Sequence, residues 1–161
     1  ILAYSGLMED KEVSWMPSYG PEQRGGTSNV TVIVSDEQVS SPVLNEYDIV
    51  IVLNQPSLDK FEPRVKKGGI LVYDPDSIVL KNKRDDIQIY EVDATQESLR
   101  MGNQKAFNMI VLGGVLKVAP MVKIESVIKG LKKTLPERHH KLIPMNEQAI
   151  QRGMEIIKQI H

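Results

Sequence analysis

Six consecutive residues, Asp48-Ile49-Val50-Ile51-Val52-Leu53, constrain the fold of this chain more than any other stretch. A strand wetted on one face alternates apolar and polar side chains, because successive residues point to opposite sides. Here the five residues after the aspartate are apolar without a break. That pattern predicts a central strand covered on both faces, as in a parallel sheet held between helices. Further β-rich runs stand at Val30 to Val34, at Ile70-Leu71-Val72-Tyr73 and at Ile87 to Val92, and Lys11 to Trp15 reads as a short strand. Helical spacing lies between several of them. Leu58, Phe61 and Val65 share a stripe on Pro56 to Lys66, with Ser57 as its cap, Gly68-Gly69 as its stop, and Pro63 placed to shorten or kink it. Asp93 and Gln96 have capping-box spacing for a helix to Met101.

The second half continues in the same style. Gln104 to Ala119 is a long apolar helix that stops before Pro120. Ile124 to Leu135 is amphipathic, with Ile124, Val127, Ile128 and Leu131 inward and Lys129, Lys132 and Lys133 outward. Pro144 and Asn146 open a last helix whose buried stripe is Ile150, Met154 and Ile157. Strands alternating with helices predict an α/β fold, a three-layer α/β/α domain with a mostly parallel central sheet. The early strands, with no helix between them, can make that sheet mixed. The chain has 161 residues with no internal repeat or linker, so residues 1–161 are expected to form one domain. Ile1 to Leu7 reads as the end of a helix, with Gly6 in the left-handed position beyond it. A chain opening inside a helix suggests that something precedes it.

Composition narrows the function. Lys and Arg number 20 against 21 Asp and Glu, a net charge of -1, which argues against nucleic-acid binding. No apolar run reaches the ~20 residues of a membrane-spanning helix. Cysteine is absent, which excludes disulfides, a Cys nucleophile and Cys-ligated iron–sulfur clusters and is compatible with a reducing, cytoplasmic setting. Three histidines, His139, His140 and His161, are too few for a His-rich metal site, and His139-His140 reads as a polar surface turn. Lys81 to Asp86 reads as a solvated charged turn. Lys129, Lys132, Lys133, Arg138 and Lys141 make a basic, solvated face, with steering of an acidic partner as the sharper alternative. No catalytic residue is assigned.

The most informative segment is Ser14 to Ser28, read as an ordered loop. It holds the only Trp, with Tyr19, Pro17, Pro21, Gly20, Gly25 and Gly26. Trp15 and Tyr19 can anchor it by burial, or else pack against a partner subunit or stack on adenine. Arg24-Gly25-Gly26-Thr27 has two readings. Glycines let successive backbone N–H groups converge on an anion, Arg adds a planar charge suited to phosphate, and Thr adds a hydroxyl. The plainer reading is a tight turn into the next strand, with Arg24 paired to Glu22 or to a neighbouring subunit.

Trp15-Met16-Pro17-Ser18-Tyr19-Gly20-Pro21-Glu22-Gln23-Arg24-Gly25-Gly26-Thr27 resembles the signature of the gamma subunit of 2-oxoacid:ferredoxin oxidoreductases. Asn54 to Phe61, Val65 to Gly69, and Gly102-Asn103 with Asn108-Met109 and Leu112-Gly113 resemble further segments of that family in the same order. The family's opening strand and Gly-x-Gly-Gly-Gln-Gly turn are not in this sequence and would stand just before Ile1. The resemblance implies a subunit of an enzyme that joins a 2-oxoacid and coenzyme A (CoA) to give acyl-CoA, CO2 and reduced ferredoxin. It implies thiamine-binding alpha and beta subunits and a ferredoxin-like delta subunit as partners. Thiamine diphosphate, Mg and iron–sulfur clusters would sit on those partners, with CoA as co-substrate and a dimeric state left open. It implies that Arg24, Gly25, Gly26, Thr27 and Asn54 face CoA, Asn54 either bonding the ligand or capping the following turn. It gives Gly102-Asn103 the junction of two helices, and Asn108 a tie to loop backbone inside the fold. Pyruvate, 2-oxoglutarate, ketoisovalerate and aryl pyruvates all stay open as the oxoacid. The alternatives are a purely structural clamp between subunits, with the Trp15–Thr27 segment as its interface, and a free-standing nucleotide-binding α/β module.

Overall fold

The computed structural model describes residues 1–19, 28–80 and 84–161. In chain order the elements are α1 (Leu2–Leu7), β1 (Glu12–Tyr19), β2 (Ser28–Ser35), β3 (Tyr47–Val52), α2 (Gln55–Phe61), β4 (Val65–Tyr73), β5 (Gln88–Glu91), α3 (Ala94–Arg100), α4 (Phe107–Val118), α5 (Ile124–Thr134), α6 (Ile143–Ile156) and β6 (Lys158–Gln159). Short 3-10 turns occupy Glu62–Arg64, Gln104–Ala106 and Glu137–Leu142. The chain divides into two compact units, Ile1–Leu44 with Met121–Ile143, and Asn45–Pro120 with Pro144–His161. Among the described residues no helix is long and apolar enough to cross a membrane.

The second unit carries a four-stranded sheet of order β3-β4-β5-β6. The first three strands are parallel and β6 runs antiparallel to β5, so the expected α/β class holds. The antiparallel member comes from the chain's last strand, not from the early ones. Val50 pairs with Leu71, and Leu71 with Ile89, which aligns three buried side chains on one face. With Val52, Tyr73 and Leu58 of α2 they belong to one apolar cluster. Burying each such aliphatic side chain is worth about 1.5–3 kcal/mol.

The strand predicted to be central is at the sheet's edge instead. Val50 and Val52 are buried, but Ile51 is 44% exposed and Leu53 42%. The strand covered on both faces is β4, where Leu71 and Val72 are fully buried. The predicted helix from Pro56 also stops early. It ends at Phe61, and Pro63 sits in a 3-10 turn before Val65 opens β4. Gly68 and Gly69 therefore lie within a strand. Gly68 has φ +77°, and a Cβ on Gly69 would stand 2.9 Å from the Asp48 carbonyl oxygen, beside the register shift between Tyr47 and Ile49. These glycines serve an irregular strand pair rather than a helix end.

Two helices of this unit meet without side chains between them. A Cβ on Gly113 of α4 would lie 1.9 Å from the Ile150 carbonyl oxygen, and one on Gly153 of α6 would lie 1.8 Å from that of Ile110. A mid-helix glycine costs about 1 kcal/mol relative to alanine, and close backbone approach is the compensation. A Cβ on Gly114 would sit 3.2 Å from Val92 Cγ2 and 3.2 Å from Ile157 Cδ1, so small residues let α4 settle against the residues that follow β5 and α6.

In the first unit β1 and β2 form a separate antiparallel ribbon, Glu12 opposite Ser35 through Tyr19 opposite Ser28. Strand therefore runs through Ser14–Tyr19, a stretch expected to be loop. Helix α1 continues through Gly6, and the left-handed residue is Asp10 at φ 56°. Gly6 is needed for another reason, since a Cβ there would stand 2.8 Å from Val13 Cγ1. Helix α5 buries Val127 and Leu131, and its first turn is held by Glu9, whose Oε1 accepts from the Lys123 N–H at 2.6 Å. The lysines of α5, with Arg138 and Lys141, face solvent as expected. His140 Nε2 lies 2.9 Å from the Leu135 carbonyl oxygen in the 3-10 turn that follows.

Candidate functional site

In the second unit a polar residue, Asn54, Asp74 or Asp93, stands within two positions of the end of each parallel strand, and open α/β sheets place ligands beyond such carboxyl ends. After β3 comes Asn54, the N-cap of α2. Its Oδ1 accepts from the Ser57 N–H at 2.8 Å, so Asn54, not Ser57, supplies the cap. Gln55 Oε1 accepts from the Val79 N–H at 2.9 Å and its Nε2 donates to Asp59 Oδ1 at 3.0 Å, tying the following loop to the helix. After β4 comes Asp74, 1% exposed. One carboxylate oxygen accepts from the Asp76 N–H, and the other from both the N–H and hydroxyl of Thr95, each at 2.9 Å. A capping residue normally belongs to the helix it caps. Here Asp93 makes no side-chain cap bond, and Asp74, at the end of the neighbouring strand β4, holds the start of α3.

Two ion networks brace this frame. Glu91, directly between Tyr73 and Lys158 in the sheet, accepts from the Tyr73 hydroxyl at 2.9 Å and pairs with Lys158 Nζ at 2.7 Å. Burial, then Glu91, push the Tyr73 phenol above its ordinary value of 10, so it is no acid–base group near neutrality. Glu97 of α3, 4% exposed, is bonded to Arg152 of α6 at 2.7 Å and to Arg100 at 3.1 Å. Those bonds, Arg152 first, hold its carboxyl below 4.5 despite burial. Arg84 likewise corrects the solvated reading of its turn. It grips Asp86 at 2.8 and 2.6 Å and donates to the Glu62 and Val65 carbonyls at 2.8 and 3.0 Å. Lys81, Asn82 and Lys83 lie outside the described residues.

Past α3 a shallow depression is lined by Leu99, Gly102, Asn103, Gln104 and Lys105. Gly102 has φ +66°, which a residue with a side chain would resist. Asn103 Oδ1 accepts from the Lys105 N–H at 3.0 Å and its Nδ2 donates to Met145 Sδ at 2.5 Å, the helix junction expected of Gly102-Asn103. Asn108 is exposed on α4, not tied inside the fold, because the helix turns it outward.

The carboxylates Asp74, Glu91 and Glu97 are thus committed to caps and ion pairs, and Asn54 to a cap. Among the described residues no group of His, Asp or Glu side chains is placed to hold a metal ion. Among the described residues, the side chains at this edge are thus engaged in positioning backbone. Of the expected site residues, Asn54 is described, while Arg24, Gly25, Gly26 and Thr27 lie outside the described residues. The flanks of that segment are visible. Of the readings for Trp15 and Tyr19, anchoring by burial is corrected: they are 60% and 71% exposed, because they stand on a two-stranded ribbon with little of the chain beside it. Sequence reading missed Asp74 and Glu97. The signal for Asp74 was Asp74-Pro75-Asp76-Ser77 directly after an apolar strand, a turn composition with a spare carboxylate.

Comparison with known proteins places these features in context. Residues 1–156 match the family model described as pyruvate ferredoxin/flavodoxin oxidoreductase. The ketoisovalerate oxidoreductase subunit VorA of Methanothermobacter thermautotrophicus is 36% identical over 155 residues, which are 96% of this chain and 32% of that protein. The chain thus spans about a third of the length of the VorA relatives it matches. The 2-oxoglutarate synthase subunit KorC of Methanocaldococcus jannaschii is 29% identical over 160 residues, 97% of this chain and 83% of that one. Among solved structures, the keto/oxoacid ferredoxin oxidoreductase gamma subunit of Geobacter sulfurreducens superposes with TM-score 0.76 at 28% identity, covering 96% of this chain and 85% of that chain. The 2-oxoglutarate:ferredoxin oxidoreductase of Magnetococcus marinus, solved with 2-oxoglutarate, coenzyme A and succinyl-CoA, shares the fold with TM-score 0.84 at 17% identity, over 96% of this chain and 27% of that chain.

Proposed function

This chain belongs to the pyruvate ferredoxin/flavodoxin oxidoreductase family, and on that premise we propose that it is the gamma-type component of a 2-oxoacid:ferredoxin oxidoreductase. It helps form the site where a 2-oxoacid and CoA become acyl-CoA and CO2, with two ferredoxins reduced and a proton released. The family match across residues 1–156 carries the reading. Relatives named for ketoisovalerate and 2-oxoglutarate support it, as does a fold neighbour solved with CoA. We read residues 1–161 as one gamma-type domain.

The role proposed for the chain is to receive CoA. Arg24, with the backbone N–H groups of Gly25, Gly26 and Thr27, would meet the phosphates of the cosubstrate. Asn54 would sit at the carboxyl end of β3 as a positioning cap, its Oδ1 already engaged by Ser57. Thiamine diphosphate, with Mg, supplies the carbon chemistry in such enzymes and iron–sulfur clusters take the electrons. The residues here do not fit either group, since the sequence holds no Cys and no Gly-Asp-Gly…Asn-Asn pattern. Both belong on the thiamine-binding alpha and beta subunits and a ferredoxin-like delta subunit, in a cytoplasmic complex.

The test is Arg24→Ala in the assembled enzyme. Loss of a charge-assisted contact worth about 1.5 kcal/mol should raise the KM for CoA roughly tenfold, with the KM for the 2-oxoacid unchanged. An unaltered CoA dependence removes Arg24 from the site.

A further inference from the structure

Helix α5 and the 3-10 turn after it gather charge of one sign. Residues 129–141 hold Lys129, Lys132, Lys133, Arg138 and Lys141 against Glu137 alone, a net charge of +4, so the rest of this chain carries -5. All five cations are exposed, and among the described residues none of them pairs with a carboxylate. Cations elsewhere do: Lys11 with Asp36, Lys66 with Asp48, Arg84 with Asp86, Arg152 with Glu97 and Lys158 with Glu91. Lys129, Lys132 and Lys133 stand three and four residues apart, so they share a helix face on which like charges repel. The helix dipole favours Lys132 and Lys133, which lie in the last turn of α5. It does not account for Lys129 or Arg138. Within the chain the arrangement is repulsive, and a negative partner relieves it.

We propose that this face docks the electron-accepting ferredoxin, recognised as a compact acidic protein; the acceptor's place in the reaction rests on the function proposed above. Three observations select that occupant. First, the apolar side of α5 is used inside its own unit. Val127 and Leu131 are buried, and a Cβ on Gly130 would stand 3.2 Å from Ser5 Oγ of α1. A helix that lies on a membrane needs that side for lipid, so an anionic bilayer is not the occupant. Second, α5 has no exposed large hydrophobic residue, whereas the centre of a lasting interface is apolar and poor in lysine. The partner therefore comes and goes, and in the proposed reaction the macromolecule that does so is the electron acceptor. Third, the positive charge is local. A nucleic acid carries its phosphates past any short patch and would meet the net negative remainder of the chain, whereas a compact acidic protein meets the lysines alone. Charges set out in this way speed encounter more than they deepen affinity.

The test uses the assembled enzyme, saturated with 2-oxoacid and CoA, and two acceptors: ferredoxin, and methyl viologen, a small dication that needs no docking surface. Lys129→Glu/Lys132→Glu should lower kcat/KM for ferredoxin about tenfold or more and leave viologen reduction unchanged. Lys67→Glu/Lys117→Glu makes the same change of charge on exposed lysines of the other unit and should alter neither acceptor. Raising salt from about 0.05 to 0.5 M should slow the parent enzyme with ferredoxin and close its gap to the variant, because exposed charges are screened. Lys129→Ala/Lys132→Ala, which keeps helix propensity high, should show a smaller loss and reads the same effect if the glutamate pair does not assemble. An equal loss in the control pair, or viologen reduction that falls in step with ferredoxin, overturns the docking. Ferredoxin kinetics unchanged in both patch variants, in a complex whose viologen turnover requires this chain, sink the docking and leave the proposed function intact. Viologen turnover undiminished when the chain is left out sinks the function instead.

Discussion

Glu97 is a carboxylate 4% exposed and held by two arginines, and that sets how the fold responds to acid. Its folded value lies below 4.5, so its stabilisation is complete above pH 4.5 and is lost as pH falls through the folded value. Glu97→Gln should lower the melting temperature at pH 7 by roughly 3–6 °C. It should also flatten the acid limb, so that the gap between variant and parent narrows towards pH 3. Parallel limbs in calorimetry from pH 7 to pH 3 would detach Glu97 from the acid response. Residues of this kind were the least legible in the sequence. Glu97 sits among exposed helix positions by pattern, and its partner Arg152 is 55 residues away. Asn54 was half legible. Its position after a strand and before a proline named both a cap and a ligand contact, and the structure engages its side chain as a cap.

At the level of elements, the sharpest constraint is the seam between α4 and α6. The Gly113 and Gly153 positions abut the carbonyls of Ile150 and Ile110, so Gly113→Ala cannot be absorbed by a rotamer change. It should cost about 3 kcal/mol despite alanine's better helix propensity. Denaturant melts would show this, and a neutral or stabilising result would mean that the helices do not touch there. Strands and helices were mostly visible beforehand because apolar periodicity reports burial. The errors came where it does not. The run at Ile49–Leu53 was read as doubly covered, yet Ile51 is exposed, since composition reports how apolar a strand is and not its rank in the sheet. Ser14–Tyr19 was read as loop because Pro17 and two serines weaken strand propensity, while pairing with Ser28–Ile33 overrides it. The helix after Pro56 was drawn too long because Val65 fitted its stripe; Pro63 ended it.

Taken whole, the molecule has a scaffold of spent carboxylates, no cysteine, and a ribbon with exposed aromatics. The isolated chain should therefore give no viologen reduction from any 2-oxoacid with CoA, while the chain added to its partner subunits restores turnover. Turnover by the solitary chain, or thiamine bound to it stoichiometrically, would overturn its placement as a gamma-type component. The family and the α/β class were readable from segment order and strand pattern. The oxoacid was not, because relatives named for ketoisovalerate and for 2-oxoglutarate both match nearly the whole of this chain. The edge position of β3 has a last consequence. With Tyr47–Val52 hydrogen-bonded to β4 and at the end of the sheet's order, its other row of amides and carbonyls, with Ile51 uncovered, is a template for any stray extended peptide. Residues 1–161 taken alone thus offer a seam where copies can add strand to strand, a hazard that grows with concentration.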